Sequence, residues 1–167
     1  MKNVLAVLVE NKPGVLARVA GLFSRRGFNI DSLTVGETLD PDISRMTITV
    51  TGDSAMLEQV VKQLNKLINV IKISNITEDP AVMRELMLLK VHAEPHNRSD
   101  IQLIVETFRG KVVDVSLNSL VIELTGNEDK LEAIKLLLQD FGIKELVRTG
   151  KVAMLRGSKT TRDSAGG

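Results

Sequence analysis

The spacing of apolar residues along the first half of the chain predicts the order strand, helix, strand, strand, helix, strand. The run VLAVLVE at 4–10 is almost entirely apolar, which is typical of a central strand. From Val15 the apolar positions follow the stripe of an amphipathic helix, which we expect to end at Gly27. A second helix is expected to begin at a cap formed by Asp53 or Ser54. Further strands are predicted at 29–39, 45–51 and 69–77.

The same order of elements repeats in the second half. Thr51-Gly52-Asp53 before one predicted helix matches Thr125-Gly126-Asn127 before another. Strands are predicted at 85–93, 111–116, 119–126 and 143–155, and helices at 99–110 and 127–142. The β-α-β-β-α-β order is that of the split βαβ unit. The sequence therefore predicts an α+β fold of two tandem ferredoxin-like βαββαβ modules.

Breaks in the apolar pattern give the expected domain boundaries. The first module is predicted at 1–78 and the second at 85–157, with a polar linker at 79–84. The polar segment 158–167 is expected to be a disordered tail.

Charge and composition remove several classes of function. The 22 Lys and Arg residues nearly balance 21 Asp and Glu residues, so the charge gives no reason to expect nucleic acid or an acidic membrane as partner. Aromatic residues are only 2% of the chain, and cysteine is absent. Stacking on bases, disulfides and thiolate chemistry are therefore not expected. The sequence shows neither a secretory leader nor a membrane span, and we expect a cytoplasmic protein.

The loop Asn11-Lys-Pro-Gly14 before the first helix is the most informative candidate site. Asn11 is expected to cap the helix, and a proline in the first turn lacks only an N–H that would be unpaired anyway. Gly14 has no side chain to cover the free amides, so a carboxylate or phosphate fits there. The alternative is a glycine that only allows a tight connection. The corresponding segment of the second module, AEPHNRSD, has no glycine.

The predicted second strand carries further candidates. Asn29 at its start offers both a donor and an acceptor to an α-amino acid, and Gly36 within it permits close approach of a ligand or backbone. A turn asparagine and a bulge glycine are the alternatives. This strand lies at the edge of a ferredoxin-like sheet, and pairing with its copy in a second chain would satisfy that edge.

Other patterns give weaker indications. His92 and His96 have a spacing seen in metal sites, but Pro95 forbids the helix that would bring them together. The Arg25-Arg-Gly-Phe28 segment lacks the later aromatics of an RNA-binding strand. No catalytic set of side chains and no glycine-rich nucleotide loop is present. We therefore expect neither a metal centre, RNA binding nor catalysis.

The segment "GLFSRRGFNIDSLTV" followed by "SRMTITV" resembles the N-terminal ACT domain of the acetohydroxyacid synthase (acetolactate synthase) small, regulatory subunit. "RELMLLKV" and "FRGKVVDVS" resemble the C-terminal module of that family. The resemblance extends from about Val4 to Arg156.

This resemblance implies a non-catalytic subunit that binds and activates a thiamine-diphosphate-dependent large subunit. Thiamine diphosphate, Mg²⁺ and FAD would belong to that partner, and this chain would hold no cofactor. A branched-chain amino acid, usually valine, would act as feedback inhibitor between two ACT domains of a homodimer. The implied effector positions are Asn11, Gly14, Val15, Leu16, Asn29, Ile30, Val35 and Gly36. Family members often have alanine at position 36, so the choice among valine, leucine and isoleucine stays open. A stand-alone amino-acid sensor with ACT architecture is the alternative.

Overall fold

The chain folds into two compact units in the computed structural model, which describes residues 1–162. Within the described range, one unit contains residues 1–82 and 150–162, and the other contains residues 83–149. Each unit is built from helices packed on an antiparallel sheet. The predicted α+β class with two βαββαβ modules is confirmed.

The first unit has four strands in the order β2-β3-β1-β4. Its elements are β1 (Lys2–Glu10), α1 (Val15–Arg25), β2 (Ile30–Glu37), β3 (Ile43–Thr51), α2 (Ser54–Asn65) and β4 (Val70–Asn75). Alternate residues of β1 and β3 pack against the apolar faces of both helices. Phe23 of α1 and Phe28 meet edge to face in this core, with ring centroids 6.3 Å apart. Because β2 and β4 form the two ends of the strand order, they are the edge strands of this sheet.

The second unit repeats this arrangement with strand order β6-β7-β5-β8. Its elements are β5 (Ala81–His92), α3 (Arg98–Thr107), β6 (Lys111–Val115), β7 (Ser119–Gly126), α4 (Glu128–Leu138) and β8 (Ile143–Arg148). A turn of 3₁₀ helix, Gln139–Phe141, follows α4. Arg148 donates hydrogen bonds to Glu85 at 2.8 Å and to Glu132 at 2.5 Å, which compensates the burial of Glu85.

Side-chain caps begin two helices and a left-handed glycine follows a third, and the sequence predicts the cap of α2 and the glycine after α1. Asp53 accepts a hydrogen bond from the amide of Met56 at the start of α2, and Asn127 does the same for Lys130 at the start of α4. Gly27 has a φ of 74° just after α1, a conformation that favours glycine.

The C-terminal segment differs from expectation. The single closing strand predicted at 143–155 is two strands, β8 and β9 (Val152–Leu155), and β9 lies in the first unit. Gly150 lies between these two strands. It approaches Thr34 of β2 closely, because a Cβ at this position would lie 2.6 Å from Oγ1 of Thr34. The pattern of apolar residues in KVAML indicates a strand but not the unit to which that strand belongs.

The linker and tail also differ from expectation. Strand β5 begins at Ala81, so the second part of the expected linker 79–84 is a strand. The expected disordered tail began at residue 158, but Lys159 pairs with Asp79 at 3.7 Å and Thr161 is buried. Residues 163–167 of that tail lie outside the described residues.

The glycine before α2 generates a stability prediction. A methyl group at Gly52 would lie 2.6 Å from the ring of Phe28, so Gly52→Ala should destabilise the first unit by about 1–3 kcal/mol through overpacking. The matched control is Gly21→Ala in α1, where a methyl meets nothing within 4 Å. That change should stabilise the helix by about 0.5–1 kcal/mol. Urea denaturation of the full chain, monitored through NMR signals of the first unit, measures the free energy of unfolding of both variants. Equal stability of the two variants would contradict this packing.

Candidate functional site

The start of α1 has the backbone conformation that the candidate site requires. Gly14 occupies the N-cap position with φ 84° and ψ −11°, in the left-handed region, and no side chain caps the helix. The predicted capping role of Asn11 is wrong. Its amide group instead donates to the carbonyl of Pro41 at 2.9 Å and to Glu37 Oε1 at 3.5 Å. Asn11 thus ties the loop before α1 to the β2–β3 hairpin, a long-range contact that local sequence does not indicate.

Several backbone amides at this helix start remain available. The amide of Val15 donates to the carbonyl of Lys12 at 3.3 Å, and Arg18 makes the first intrahelical bond to Gly14. The amides of Leu16 and Ala17 fall between them and have no acceptor within the helix. A Cβ at Gly14 would meet nothing within 4 Å, so the space beside Gly14 is open. An arrangement of this kind suits an anion, and the anion site stays a prediction.

Charged side chains around the loop are paired with each other. Lys12 Nζ lies 2.7 Å from Glu10 Oε2, and Asn69 donates to the same carboxylate at 3.3 Å. The hydrogen bond from Lys12, with a further one from Asn69, lowers the pKa of Glu10, and the same ion pair raises the pKa of Lys12. Arg18 donates to Asn69 at 2.6 Å. Both members of the Glu10–Lys12 pair therefore stay charged through neutral pH.

The apolar candidates divide into core and surface residues. Val15 is 3% exposed and belongs to the helix–sheet core, and Ile30 packs against that core. Leu16 and Val35 are 44% and 41% exposed. Only Leu16 and Val35 therefore offer a side chain to a ligand at the surface, whereas Val15 can contribute its backbone alone. The sequence could not separate these residues because all of them lie in apolar patterns.

Within one chain, Asn29 does not meet Gly14. Strands β1 and β2 both pair antiparallel with β3, so they run in the same direction. The loop after β1 therefore lies near Gly36 and Glu37, whereas Asn29 precedes the opposite end of the eight-residue β2, roughly 25 Å away. Asn29 is exposed, and its nearest polar contact is Asp31 Oδ1 at 3.5 Å. The structure thus brings Asn11, Gly14, Val35 and Gly36 to one end of the sheet and leaves Asn29 and Ile30 at the other.

Gly36 has room for a side chain. A Cβ there would meet nothing within 4 Å, and its φ is not positive, so alanine fits without strain. Its cross-strand partner is Arg45 of β3, which places positions 36 and 45 on the same face of the sheet. The glycine therefore leaves open space beside Arg45.

The remaining candidates show no built centre. His92 and His96 both contact Glu94, at 3.4 and 3.2 Å. Within residues 1–162, no group of three or more His, Cys, Asp or Glu side chains is placed to hold a metal ion. No helix in this range is long and apolar enough to cross a membrane.

Two family models together match most of the chain. Residues 5–72 match the AHAS small subunit-like ACT domain, and residues 84–157 match the small subunit of acetolactate synthase.

Individual relatives agree with these models. The chain is 62% identical to a probable acetolactate synthase small subunit of Archaeoglobus fulgidus, over 95% of this chain and 99% of that protein. It is 56% identical to the acetolactate synthase small subunit of Mycolicibacterium smegmatis, over 94% of this chain and 92% of that protein. The crystal structure of the acetolactate synthase small subunit from Thermotoga maritima superposes with a TM-score of 0.87 at 43% identity, covering 95% of this chain and 99% of that one.

Proposed function

The chain belongs to the acetolactate synthase small-subunit family, and on that premise we propose that it activates the catalytic large subunit and makes it sensitive to a branched-chain amino acid. On this proposal the chain is not itself an enzyme. Thiamine diphosphate, Mg²⁺ and FAD are held by the large subunit. The proposal includes a cytoplasmic location, the compartment expected from the sequence.

The start of α1 at Gly14 is the observation that supports the effector site best. A left-handed glycine, unused amides at Leu16 and Ala17 and open space lie at one point, beside the end of edge strand β2. The effector's carboxylate binds these amides. No acidic residue lies in the first turn of α1, so no side chain there repels the carboxylate. The exposed side chains of Leu16 and Val35 contact its apolar part.

A second copy of the chain completes this site. β2 pairs only with β3, so its outer edge is unpaired within residues 1–162. Two copies of β2 that pair antiparallel about a two-fold axis bring the Asn29 end of each strand to the Gly36 end of the other. Asn29 of the partner subunit then receives the ammonium group of the amino acid whose carboxylate lies at Gly14. The separation of Asn29 from Gly14 within one chain supports this arrangement.

Binding across such an interface links the amino acid to the geometry of the dimer. An effector that contacts two chains stabilises one arrangement of their sheets over others. If the large subunit binds another arrangement more tightly, the effector weakens its activation, and the coupling is reciprocal. The alternative of a stand-alone amino-acid sensor uses the same effector site without a catalytic partner.

Charge at position 14 tests the site. Gly14→Asp should remove measurable valine binding, because a carboxylate there repels that of the ligand. The matched control is Gly14→Asn, since asparagine has nearly the same size and tolerates the left-handed conformation. We expect Gly14→Asn to keep affinity within about tenfold of the natural chain. Calorimetry with valine, leucine and isoleucine measures both variants and identifies the effector. Equal affinities of the two variants would place the carboxylate elsewhere.

An added charge on the edge strand tests the dimer. Val35→Lys should shift the chain from dimer to monomer in sedimentation velocity and abolish valine binding at the same time, because two β2 edges cannot pair across like charges. The control is Val113→Lys, on edge strand β6 of the second unit, where the natural valine is 50% exposed. That variant should keep both properties. A Val35→Lys chain that remains dimeric would refute pairing through β2.

Reconstitution tests the activity. Mixing the full chain with the thiamine-dependent large subunit of the same source should raise acetolactate formation, and valine should then lower it. The Gly14→Asp chain should also raise acetolactate formation, but valine should not lower the rate of that mixture. Acetolactate formation by this chain alone would overturn the non-catalytic assignment. Valine binding without any effect on the large subunit would favour the stand-alone sensor.

A further inference from the structure

The C-terminal segment 150–162 packs on the face of the first sheet that is opposite the helices, which we term the rear face. Gly150 lies against Thr34 of β2, and the carbonyl of Thr161 accepts a hydrogen bond from Ser74 of β4 at 3.0 Å. Between these strands, Arg45 of β3 donates from Nη1 to Thr161 Oγ1 and from Nη2 to the carbonyl of Ala153, each at 2.5 Å. The segment therefore meets three strands of the sheet, and Arg45 holds it at two points.

Arg45 is half-buried, and it lacks the counter-charge that a desolvated cation ordinarily has. Its two hydrogen-bond acceptors are neutral, and no carboxylate within residues 1–162 pairs with it. Burial lowers its pKa, which shows that the guanidinium has lost solvation. A guanidinium has more N–H donors than these acceptors occupy. A partly desolvated guanidinium with unused donors is suited to bind an anion.

A cavity of about 560 Å³ opens onto this guanidinium. Its size falls within the range of small-molecule sites, roughly 300–1,000 Å³. Leu8 and Leu39 supply apolar wall, and Arg162 adds a second cation at the rim with no acceptor in the described chain. Asp40 is the acidic residue that lines the cavity, and its Oδ1 accepts from the amide of Asp42. The cavity thus presents two guanidinium groups against one carboxylate that is already engaged.

We propose that this cavity is a second small-molecule site, which binds the phosphate or carboxylate group of an organic anion on Arg45 and Arg162. The planar donor fork of arginine matches the oxygens of either group. Gly36, the cross-strand partner of Arg45, leaves space beside the guanidinium that a larger side chain would fill. The site is distinct from the one at Gly14, which uses backbone amides at the start of α1. This inference does not depend on the proposed function.

Chemical-shift titration of the full, isotope-labelled chain tests the proposal. Sodium phosphate and sodium acetate are added separately, with sodium chloride keeping the ionic strength constant. We expect saturable shifts of the Arg45 and Thr161 signals with at least one of the two anions. The anion that binds more tightly identifies the preferred group. Shifts that do not saturate, or that sodium chloride alone reproduces, would indicate an adventitious ion only and would overturn the site.

Three arginine variants with the same loss of charge make the test specific. Arg45→Gln and Arg162→Gln should each lower the affinity for the anion by about tenfold or more, since each removes charge-assisted hydrogen bonds. If Arg45→Gln fails to fold, the affinity of Arg162→Gln decides the outcome, because Arg162 does not anchor the segment 150–162 to the sheet. Arg156→Gln is the control, since Arg156 lies on the same segment outside the cavity lining. Equal weakening by Arg156→Gln would refute a specific site. Gly14→Asp should leave anion binding unchanged, so this inference and the effector site can fail separately.

Discussion

The burial of strand β1 on both of its faces is the constraint that organises the first unit. Six successive residues, Val4 to Val9, are each at most 5% exposed. A strand in this position cannot show alternating polarity, and it needs cover on both sides of its sheet. Helices α1 and α2 cover one side. On the other side, residues 150–162 return from the end of the chain and bind to β2, β3 and β4. The candidate sites therefore lie at the ends and edges of this sheet.

The second unit has the same topology without this double cover. Strand β5 alternates from Glu85 onward, with Met87, Leu89 and Val91 buried and the residues between them exposed. Its helix α3 begins at Arg98, and the N-cap residue Asn97 has a φ of −113°, so the left-handed glycine of the first unit has no counterpart there. Duplication of the fold has therefore not duplicated the site. The module that is covered on both faces is the one that carries the unused amides, the effector candidates and the half-buried Arg45.

Local sequence was sufficient for most elements and insufficient for the contacts between distant parts of the chain. The 3.6-residue and 2-residue periods identified the helices and strands because side-chain direction follows directly from them. The role of Asn11 was mistaken because its partners, Glu37 and Pro41, lie in a hairpin far along the chain. The return of β9 was missed for the same reason, since KVAML forms a strand with any suitable edge. The uncapped start of α1 at Gly14 could be predicted because a glycine and a proline at a helix start act locally.

The β2–β3 hairpin connects both candidate sites through contacts of different kinds. On one side, the side-chain amide of Asn11 donates to Glu37 and Pro41, so the loop that leads to Gly14 is tied to the hairpin. On the other side, Arg45 of β3 faces Gly36 of β2 and opens onto a cavity lined in part by Thr38, Leu39 and Asp40 of the same hairpin. A ligand at either site therefore fixes atoms on a segment that the other site also contacts. If binding at one site changes the affinity of the other, linkage requires the effect to be equal in both directions. The hairpin offers a direct path for such coupling, because its residues contact both candidate sites.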